Sequence, residues 1–223
     1  MSITTSLHHI TATLPEGVEL VAVSKFHPVE ALSEAYDAGQ RAFGESRVQE
    51  LVAKAPQLPG DIRWHFIGHL QSNKVRQLLT VDIDTVQSVD SIKLLRLLDA
   101  EALRAGKRIN ALMQVHVARE ETKFGFTPEE LLAELTPEVV GGLQAVTITG
   151  VMGMASNTDD AVRVEADFAA IAATQAALAK GVMQGHPEFR QISMGMSHDY
   201  PLALRHGATM VRVGTDIFGN REY

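Results

Sequence analysis

A lysine at the end of an apolar run is the first residue of this sequence whose type suggests chemistry. Lys25 follows LVAVS at 20–24, and apolar surroundings would favour its neutral amine over the ammonium form. A neutral amine can attack an aldehyde and form a Schiff base. Taken alone, a lysine at a strand end is more often a solvated charge, so this interpretation of Lys25 needs support from other residues.

Two glycine-containing turns could bind a phosphate group. Gly195 and Ser197 follow one apolar run, and Gly214 and Thr215 follow the next, where a short helix would begin. Glycine lets a backbone approach an anion closely, and the first N–H groups of a helix point towards it. The same residues are equally compatible with tight turns and no ligand. If the predicted strands form a barrel, a phosphate site across its mouth from Lys25 would favour a ligand with both a carbonyl and a phosphate, such as pyridoxal phosphate or a sugar phosphate.

An arginine lies two residues before the second of these turns. A guanidinium in a barrel lining is costly unless it is paired, so Arg212 would either pair with a carboxylate such as Glu45 or Glu50 or contact a ligand. The ligand atoms would be a ring nitrogen or the phosphate. A guanidinium beside a pyridine nitrogen would keep that nitrogen unprotonated and weaken the ring as an electron sink.

Short β-branched and aromatic runs alternate with segments of helical spacing along the whole chain. The predicted strands are residues 20–24, 41–44, 64–67, 85–87, 109–117, 147–152, 190–194 and 210–213. The predicted helices are residues 2–13, 28–38, 46–57, 71–80, 90–105, a segment from Thr127, 159–180 and 197–206. This alternation predicts a single-domain α/β protein over residues 1–223, a (β/α)8 TIM barrel with its functional groups at the carboxyl ends of the strands. An open doubly wound sheet is the alternative, and the helix at 2–13 is expected to cover the barrel floor.

The composition excludes several classes of function. The 223 residues include no Cys and carry a net charge of -7, so a disulfide framework, a Cys-based zinc site and general nucleic-acid binding are not expected. The start of the chain lacks a signal-peptide pattern, and the longest uncharged run, 139–158, is too polar to span a bilayer. His65 and His69 are four apart, but on a strand and its loop, so no metal is expected. We expect a cytoplasmic monomer.

The motifs together resemble one known family. They are VAVSK at 21–25, FGE with VQE at 43–50, WHFIGHLQSNK at 64–74, VQSVD at 86–90, KFGF at 123–126, GVMGM at 150–154, ISMGMSHD at 192–199 and VRVGTDIFG at 211–219. In this order the chain resembles the YggS/PROSC-type pyridoxal phosphate homeostasis proteins, whose fold is that of the alanine racemase N-terminal barrel. Each motif is weak alone, but eight together are specific.

The resemblance implies a role for each candidate residue. Lys25 would carry pyridoxal 5'-phosphate (PLP) as an internal aldimine, and Arg212 would face the ring nitrogen. The phosphate would be held by Ser193, Met194, Gly195, Ser197, Gly214 and Thr215. His65, Gln71 and Asn73 belong to a family motif without an assigned role. Many members read Glu-Asn-Tyr where this chain has Glu45-Ser46-Arg47, so the rim of the site is expected to differ.

The resemblance also implies a function without established catalysis. The protein would hold PLP and buffer it or deliver it, and apo-enzymes that use PLP would be its candidate partners. The alternative is an amino-acid racemase-like enzyme, which needs a second proton carrier on the opposite face of the substrate. Alanine racemases take that group from an additional C-terminal domain, which we do not expect in the short segment after the last predicted strand. A Schiff-base aldolase acting on a sugar phosphate is the third possibility.

Overall fold

Eight parallel strands close into a barrel in which each strand lies beside the next one in sequence. The computed structural model describes residues 2–117 and 124–219. The strands are β1 (Glu19–Val23), β2 (Ala42–Glu45), β3 (Arg63–Phe66), β4 (Ile83–Val89), β5 (Ile109–His116), β6 (Val146–Met154), β7 (Gln191–Ser193) and β8 (Met210–Val213). The pairing of β8 with β1 runs from Glu19 opposite Met210 to Ala22 opposite Val213. The (β/α)8 barrel predicted from the sequence is therefore confirmed, and the open sheet is wrong.

Helices follow the strands around the outside of the barrel. They are α1 (Ile3–Thr13), α2 (Val29–Asp37), α3 (Val48–Lys54), α4 (Val75–Leu78), α5 (Ile92–Arg104), α6 (Pro128–Glu134), α7 (Pro137–Gly141), α8 (Ala161–Lys180), α9 (Tyr200–Arg205) and α10 (Thr215–Phe218). Short 3-10 turns at Ala55–Gln57 and Ser72–Lys74 complete two weakly predicted helical segments. Across the two described ranges, none of these helices has the length and apolar character needed to span a membrane.

The start of α9 differs from its prediction in a way that matters for the site. The sequence predicts a helix over residues 197–206, but α9 begins at Tyr200. The carboxylate of Asp199 accepts a hydrogen bond from the N–H of Met196 at 2.6 Å and so holds the preceding residues in a turn. Ser197 and His198 consequently lie in the loop after β7 rather than in the helix.

The first helix forms as predicted, but its predicted position is wrong. The helix α1 packs against α2 and α10 rather than across the barrel floor. The N–H of Thr4 donates to Glu34 in α2 at 3.3 Å, and Thr13 lies 3.0 Å from the hydroxyl of Tyr200. The side of the barrel beside α10 therefore gains an additional helix.

Strand alternation decides which side chains point into the barrel. A small inner cluster of buried residues fills the interior, and Val21 belongs to it. Ala22 belongs instead to the large outer cluster between strands and helices. Because successive side chains of a strand point to opposite faces, Val23 and Lys25 continue the inner face and Ser24 faces the helices. The register of β1 thus directs Lys25 towards the barrel mouth.

Gly150 allows β6 and β7 to approach each other closely. A Cβ at this position would lie 1.9 Å from the carbonyl oxygen of Gln191 in the neighbouring strand. We expect Gly150→Ala to lower the free energy of unfolding by about 1–3 kcal/mol or more, because backbone and not a flexible side chain must move. Gly60→Ala is the matched control, since no atom lies within 4 Å of its added methyl group. Urea unfolding of the two variants checks the prediction, and equal stabilities would contradict it.

Candidate functional site

A cavity of about 510 Å³ opens at the carboxyl ends of the strands. This volume lies in the range of about 300–1,000 Å³ that is typical of pockets for small ligands. The residues that line it are Val23, Lys25, His27, Ser46, Ile67, Gly68, His69, Gln114, Phe124, Met152, Met154, Met196, Ser197, His198, Arg212, Gly214 and Thr215. Five of the eight residues predicted from the sequence to contact the cofactor are in this wall.

The backbone turns sharply immediately after Lys25. Phe26 has a φ of 69°, in the left-handed region that non-glycine residues rarely adopt. The N–H of Phe26 donates to Glu50 Oε1 at 2.5 Å, so a side chain from α3 holds this conformation. The turn and its anchor fix the point at which the side chain of Lys25 enters the cavity.

Behind this turn lies a buried ion pair network that centres on Lys54. Its Nζ donates to Glu45 Oε1 at 2.8 Å, to Glu50 Oε1 at 2.6 Å and to the carbonyl oxygen of Ser24 at 2.9 Å. The hydroxyl of Ser24 donates to the same Glu45 oxygen at 2.7 Å. Burial raises the pKa of Glu45, an effect that Lys54 opposes. Glu45 and Glu50, which the sequence offered as partners of Arg212, are therefore the partners of Lys54.

Arg212 lies in the cavity wall as a buried cation. The residue is only 4% exposed, and burial lowers the pKa of its guanidinium to about 10, an effect that the charge of Asp199 opposes. The side chain is therefore still protonated at neutral pH. Its guanidinium donates to Ser193 Oγ at 2.7 Å and to the carbonyl oxygen of Gly153 at 2.9 Å, which are neutral acceptors. Within residues 2–117 and 124–219 no carboxylate oxygen lies within 4.0 Å of it.

The predicted phosphate-binding residues divide into two groups. Ser197, Gly214 and Thr215 line the cavity, and the N–H of Gly214 lies 3.4 Å from Ser197 Oγ. Gly214 also allows a close approach to β1, because a Cβ there would lie 3.0 Å from the carbonyl oxygen of Val23. These residues place hydroxyl and N–H groups on one side of the mouth.

The other three predicted residues do not line the cavity. Ser193 is fully buried beneath Arg212, and Met194 packs in the core between strands and helices. Gly195 has a φ of +92° and a built Cβ would lie 2.7 Å from Cβ of Ala203, so this position accommodates only glycine easily. Its carbonyl oxygen accepts the N–H of Arg212 at 3.0 Å. These residues shape the loop that carries Ser197.

The position of the anion site relative to Lys25 differs from the expectation. The sequence places the phosphate across the mouth from Lys25, but barrel closure puts β8 directly beside β1. Gly214 and Thr215 therefore follow the strand next to the one that carries Lys25. Topology places Lys25 on the same side of the cavity as Gly214 and Thr215, and not across the mouth from them as the sequence analysis expects.

Several lining residues were not predicted as site residues. His27 stacks on Phe218 with ring centroids 5.0 Å apart, and His69 stacks on Phe124 at 3.6 Å. Nδ1 of His69 also lies 2.9 Å from Asp90 Oδ2. The sequence signal for His69 and Phe124 was their membership of motifs at the ends of strands, whereas His27 lies just after the VAVSK motif and in none of them. Lys123, in the KFGF motif, lies outside the described residues.

Ser46 and Arg47, which differ from the Asn-Tyr of many family members, have different surroundings in the structure. Ser46 lines the cavity, whereas the guanidinium of Arg47 lies over the ring of Phe26, 4.5 Å from its centroid. Gln71 and Asn73 are exposed and do not line the cavity. His65 is buried inside the barrel below it.

Comparison with known proteins decides the family. The sequence profile described as alanine racemase, N-terminal domain, matches residues 2–222. The chain belongs to this family. The pyridoxal phosphate homeostasis protein of Schizosaccharomyces pombe is 40% identical over 207 residues, which cover 92% of this chain and 85% of the relative.

Two solved structures match this chain at a similar sequence identity. PipY of Synechococcus elongatus, solved without PLP, superimposes with a TM-score of 0.92 and 42% identity, covering 98% of this chain and 100% of PipY. The structure of PipY with PLP bound matches with a TM-score of 0.87 and 41% identity over the same shares of both chains. Similarity of sequence and similarity of fold therefore point to the same relative, PipY.

Proposed function

We propose that this protein binds pyridoxal 5'-phosphate and acts in PLP homeostasis by holding the cofactor and releasing it to other proteins. The observation that carries the proposal is a buried, protonated Arg212 with no carboxylate oxygen within 4.0 Å among the described residues, in the same cavity wall as Lys25. A buried cation whose direct acceptors are neutral favours a ligand that brings negative charge or a strong acceptor. The names of the relatives, and the PLP in PipY, support this choice of ligand.

The chemistry of PLP fits the arrangement of the cavity. The aldehyde and the phosphate-bearing arm of PLP are on neighbouring ring carbons, so an amine and an anion site on adjacent strands can engage both. Lys25 would bond to the aldehyde carbon, Ser197, Gly214 and Thr215 would donate to the phosphate, and Arg212 would contact the ring nitrogen or the phosphate. Ser193, Met194 and Gly195 would contribute by shaping the loop and by orienting Arg212.

The side chains around Lys25 hold the turn that carries it and give the cavity an apolar wall. Bound PLP supplies an aldehyde that reacts with an amine. Glu50 holds the turn after Lys25, and Lys54 ties that turn to β2 through Glu45. On the other side, Met152, Met154 and Met196 give the cavity an apolar wall, and methionine adapts its shape to varied ligands. Glu50, Lys54 and Glu45 would thus orient Lys25 from behind, and the three methionines would contact the cofactor.

A racemase-like enzyme is the second candidate function. His69 lines the cavity and its ring is held 2.9 Å from Asp90, so it could carry a proton at the rim. Proton exchange at the α-carbon of an amino acid, followed in heavy water, tests this function. Exchange that depends on Lys25 and His69 would support an enzyme, whereas a carrier should exchange no faster than free PLP.

Transfer of the cofactor to an apo-enzyme tests the proposed homeostatic role. Loaded protein should reactivate an apo-enzyme that uses PLP, while Lys25→Ala protein treated with PLP and freed of unbound cofactor should not. Free PLP at the concentration released by the loaded protein is the reference for buffering. A rate equal to this reference indicates buffering, and a faster rate indicates direct delivery. If protein treated with PLP retains none after dialysis, or if it does not reactivate the apo-enzyme, the proposal fails.

We also propose that residues 1–223 form one domain that acts as a cytoplasmic monomer. The large apolar side chains exposed in the described ranges are Leu103, Phe124, Leu132 and Val162. Four side chains are few for a dimer interface, which typically involves about 20–30 residues on each partner. Gel filtration with light scattering and cell fractionation test the two expectations separately.

A further inference from the structure

A chain of four buried polar side chains crosses the barrel interior below the cavity. The guanidinium of Arg212 donates to Ser193 Oγ at 2.7 Å, Ser193 donates to Gln87 Oε1 at 2.7 Å, and Gln87 Nε2 lies 2.9 Å from His65 Nδ1. Ser193 and Gln87 are fully buried, and His65 and Arg212 are 1% and 4% exposed. Of these four, only Arg212 lines the cavity at the barrel mouth. The other three can act on a ligand there only through Arg212.

Each hydrogen bond between these four side chains determines which atom donates and which accepts in the next one. Arg212 can only donate, so the hydroxyl of Ser193 accepts from it and uses its single hydrogen for Gln87. Gln87 accepts with Oε1 and therefore offers Nε2 to His65. Nδ1 of His65 must then be the unprotonated acceptor of the ring.

The environment of His65 agrees with this assignment. Burial lowers the pKa of His65 to about 4, against the opposing charge of Asp84, so the ring is neutral at neutral pH. A neutral ring with an unprotonated Nδ1 carries its hydrogen on Nε2. Among the described residues Nε2 makes no hydrogen bond, and it lies 3.9 Å from Asp84 Oδ2. The acceptor at Nδ1 is therefore available to orient the amide of Gln87.

Loss of that acceptor would be transmitted to Arg212. Without it, the weak thioether acceptor Met210 Sδ, 3.1 Å from Gln87 Nε2, is what remains for that N–H group, and a rotated amide presents N–H groups to Ser193. Ser193 would then receive donors from both Gln87 and Arg212 and would have no fixed acceptor for its own hydrogen. The guanidinium would then share Ser193 Oγ with a second donor and would no longer be held in one orientation by it, Gly153 being its other neutral acceptor.

We propose that His65, Gln87 and Ser193 are positioning residues that fix the guanidinium of Arg212 against the bound cofactor. Through that guanidinium they set the electronic state of the cofactor. The inference rests on the proposed PLP function and assigns a role to a β3 histidine and a β4 glutamine outside the cavity wall. The three residues touch neither cofactor nor substrate. Their effect is on the direction in which Arg212 donates.

A pair of substitutions at His65 separates this role from simple packing. Asparagine and leucine have similar volumes, but only the amide oxygen of His65→Asn can replace Nδ1 as an acceptor. We expect His65→Leu to shift the visible absorption spectrum of bound PLP and to weaken its equilibrium binding on the order of tenfold. His65→Asn should keep the wild-type spectrum and affinity. Ser193→Ala should reproduce the spectral shift of His65→Leu, because it interrupts the same chain.

Each outcome of this experiment is decisive. Wild-type spectra and affinities within twofold in both His65→Leu and Ser193→Ala would overturn the inference, as would a His65→Asn protein that behaves like His65→Leu. Urea unfolding of the cofactor-free proteins shows whether each variant folds, and Ser193→Ala carries the comparison if His65→Leu does not. Failure of wild-type protein to bind PLP would instead overturn the proposed function itself. Wild-type binding with unshifted variants would overturn the positioning role alone.

Discussion

Replacement of Lys25 by alanine is expected to abolish covalent attachment of PLP while leaving the barrel folded. Lys25 is the lysine of the cavity wall within the described residues, and its side chain lies beyond the last hydrogen-bonded residue of β1. Because Lys25 is only partly buried and lies after the end of β1 at Val23, we expect the free energy of unfolding to change by less than about 1 kcal/mol. Borohydride treatment of loaded protein should add the mass of the cofactor to the wild type and nothing to Lys25→Ala.

An exposed lysine provides the control for this measurement. Lys93 lies on the outer surface of α5, so Lys93→Ala should retain the full mass increase and the wild-type absorption spectrum. Arg212 and the hydroxyl groups of Ser197 and Thr215 remain in the Lys25 variant, so weak non-covalent binding of PLP should survive. A mass increase of wild-type size in Lys25→Ala would show that another amine carries the cofactor.

The barrel could be predicted because its determinants are local and repeated. Each strand is a short apolar run, and each helix is bounded by local signals such as the capping box of Thr127 and Glu130. The alternation of strands and helices then restricts the topology. The placement of α1 could not be predicted in this way, because it depends on contacts with α2 and α10 that are distant in sequence or at the other end of the chain.

Long-range polar contacts are the second feature that the sequence does not reveal. Oδ1 of Asp99 accepts the N–H groups of Gln144, Ala145 and Val146 at 2.8–2.9 Å and so joins α5 to the start of β6. Asp99 lies on an amphipathic helix, where an acidic residue normally indicates a solvated face. Only the folded chain brings the three donors to it.

The candidate site shows the same limit. The motifs predicted which loops form the mouth, but they did not distinguish lining residues from those that support them. Ser193 and Ser197 are four residues apart and of the same type, yet one orients Arg212 and the other lines the cavity. The difference follows from strand alternation and from the turn that Asp199 stabilises, which sets where β7 ends and α9 begins.

The second large effect is expected at Lys54, the cation behind the turn that carries Lys25. Replacement by methionine keeps most of the unbranched side chain but leaves the carboxylate of Glu45, which is fully buried, without a cation. Removal of one partner of a buried ion pair costs about 3–5 kcal/mol. We expect a loss of this size in the free energy of unfolding of Lys54→Met at neutral pH, measured with urea.

The pH dependence of that loss identifies its cause. Burial already raises the pKa of Glu45 in the wild type, and removal of Lys54 removes the main influence that lowers it. A carboxyl group whose pKa is higher in the folded than in the unfolded protein destabilises the fold as the pH rises from the unfolded-state pKa through the folded-state pKa. The difference in the free energy of unfolding between Lys54→Met and wild type should therefore become smaller as the pH falls below the raised pKa of Glu45 in the variant.

Two further variants complete this argument. Lys93→Met removes an exposed lysine and should change stability by no more than about 0.5 kcal/mol. The double variant Lys54→Met with Glu45→Gln removes the buried charge and should recover part of the lost stability, since a neutral amide costs less to bury than a carboxylate. The same double variant still lacks the cation that holds Glu50 and the carbonyl oxygen of Ser24, so it should bind PLP less tightly than wild type. A Lys54→Met protein as stable as Lys93→Met at neutral pH would show that the buried network does not hold the turn.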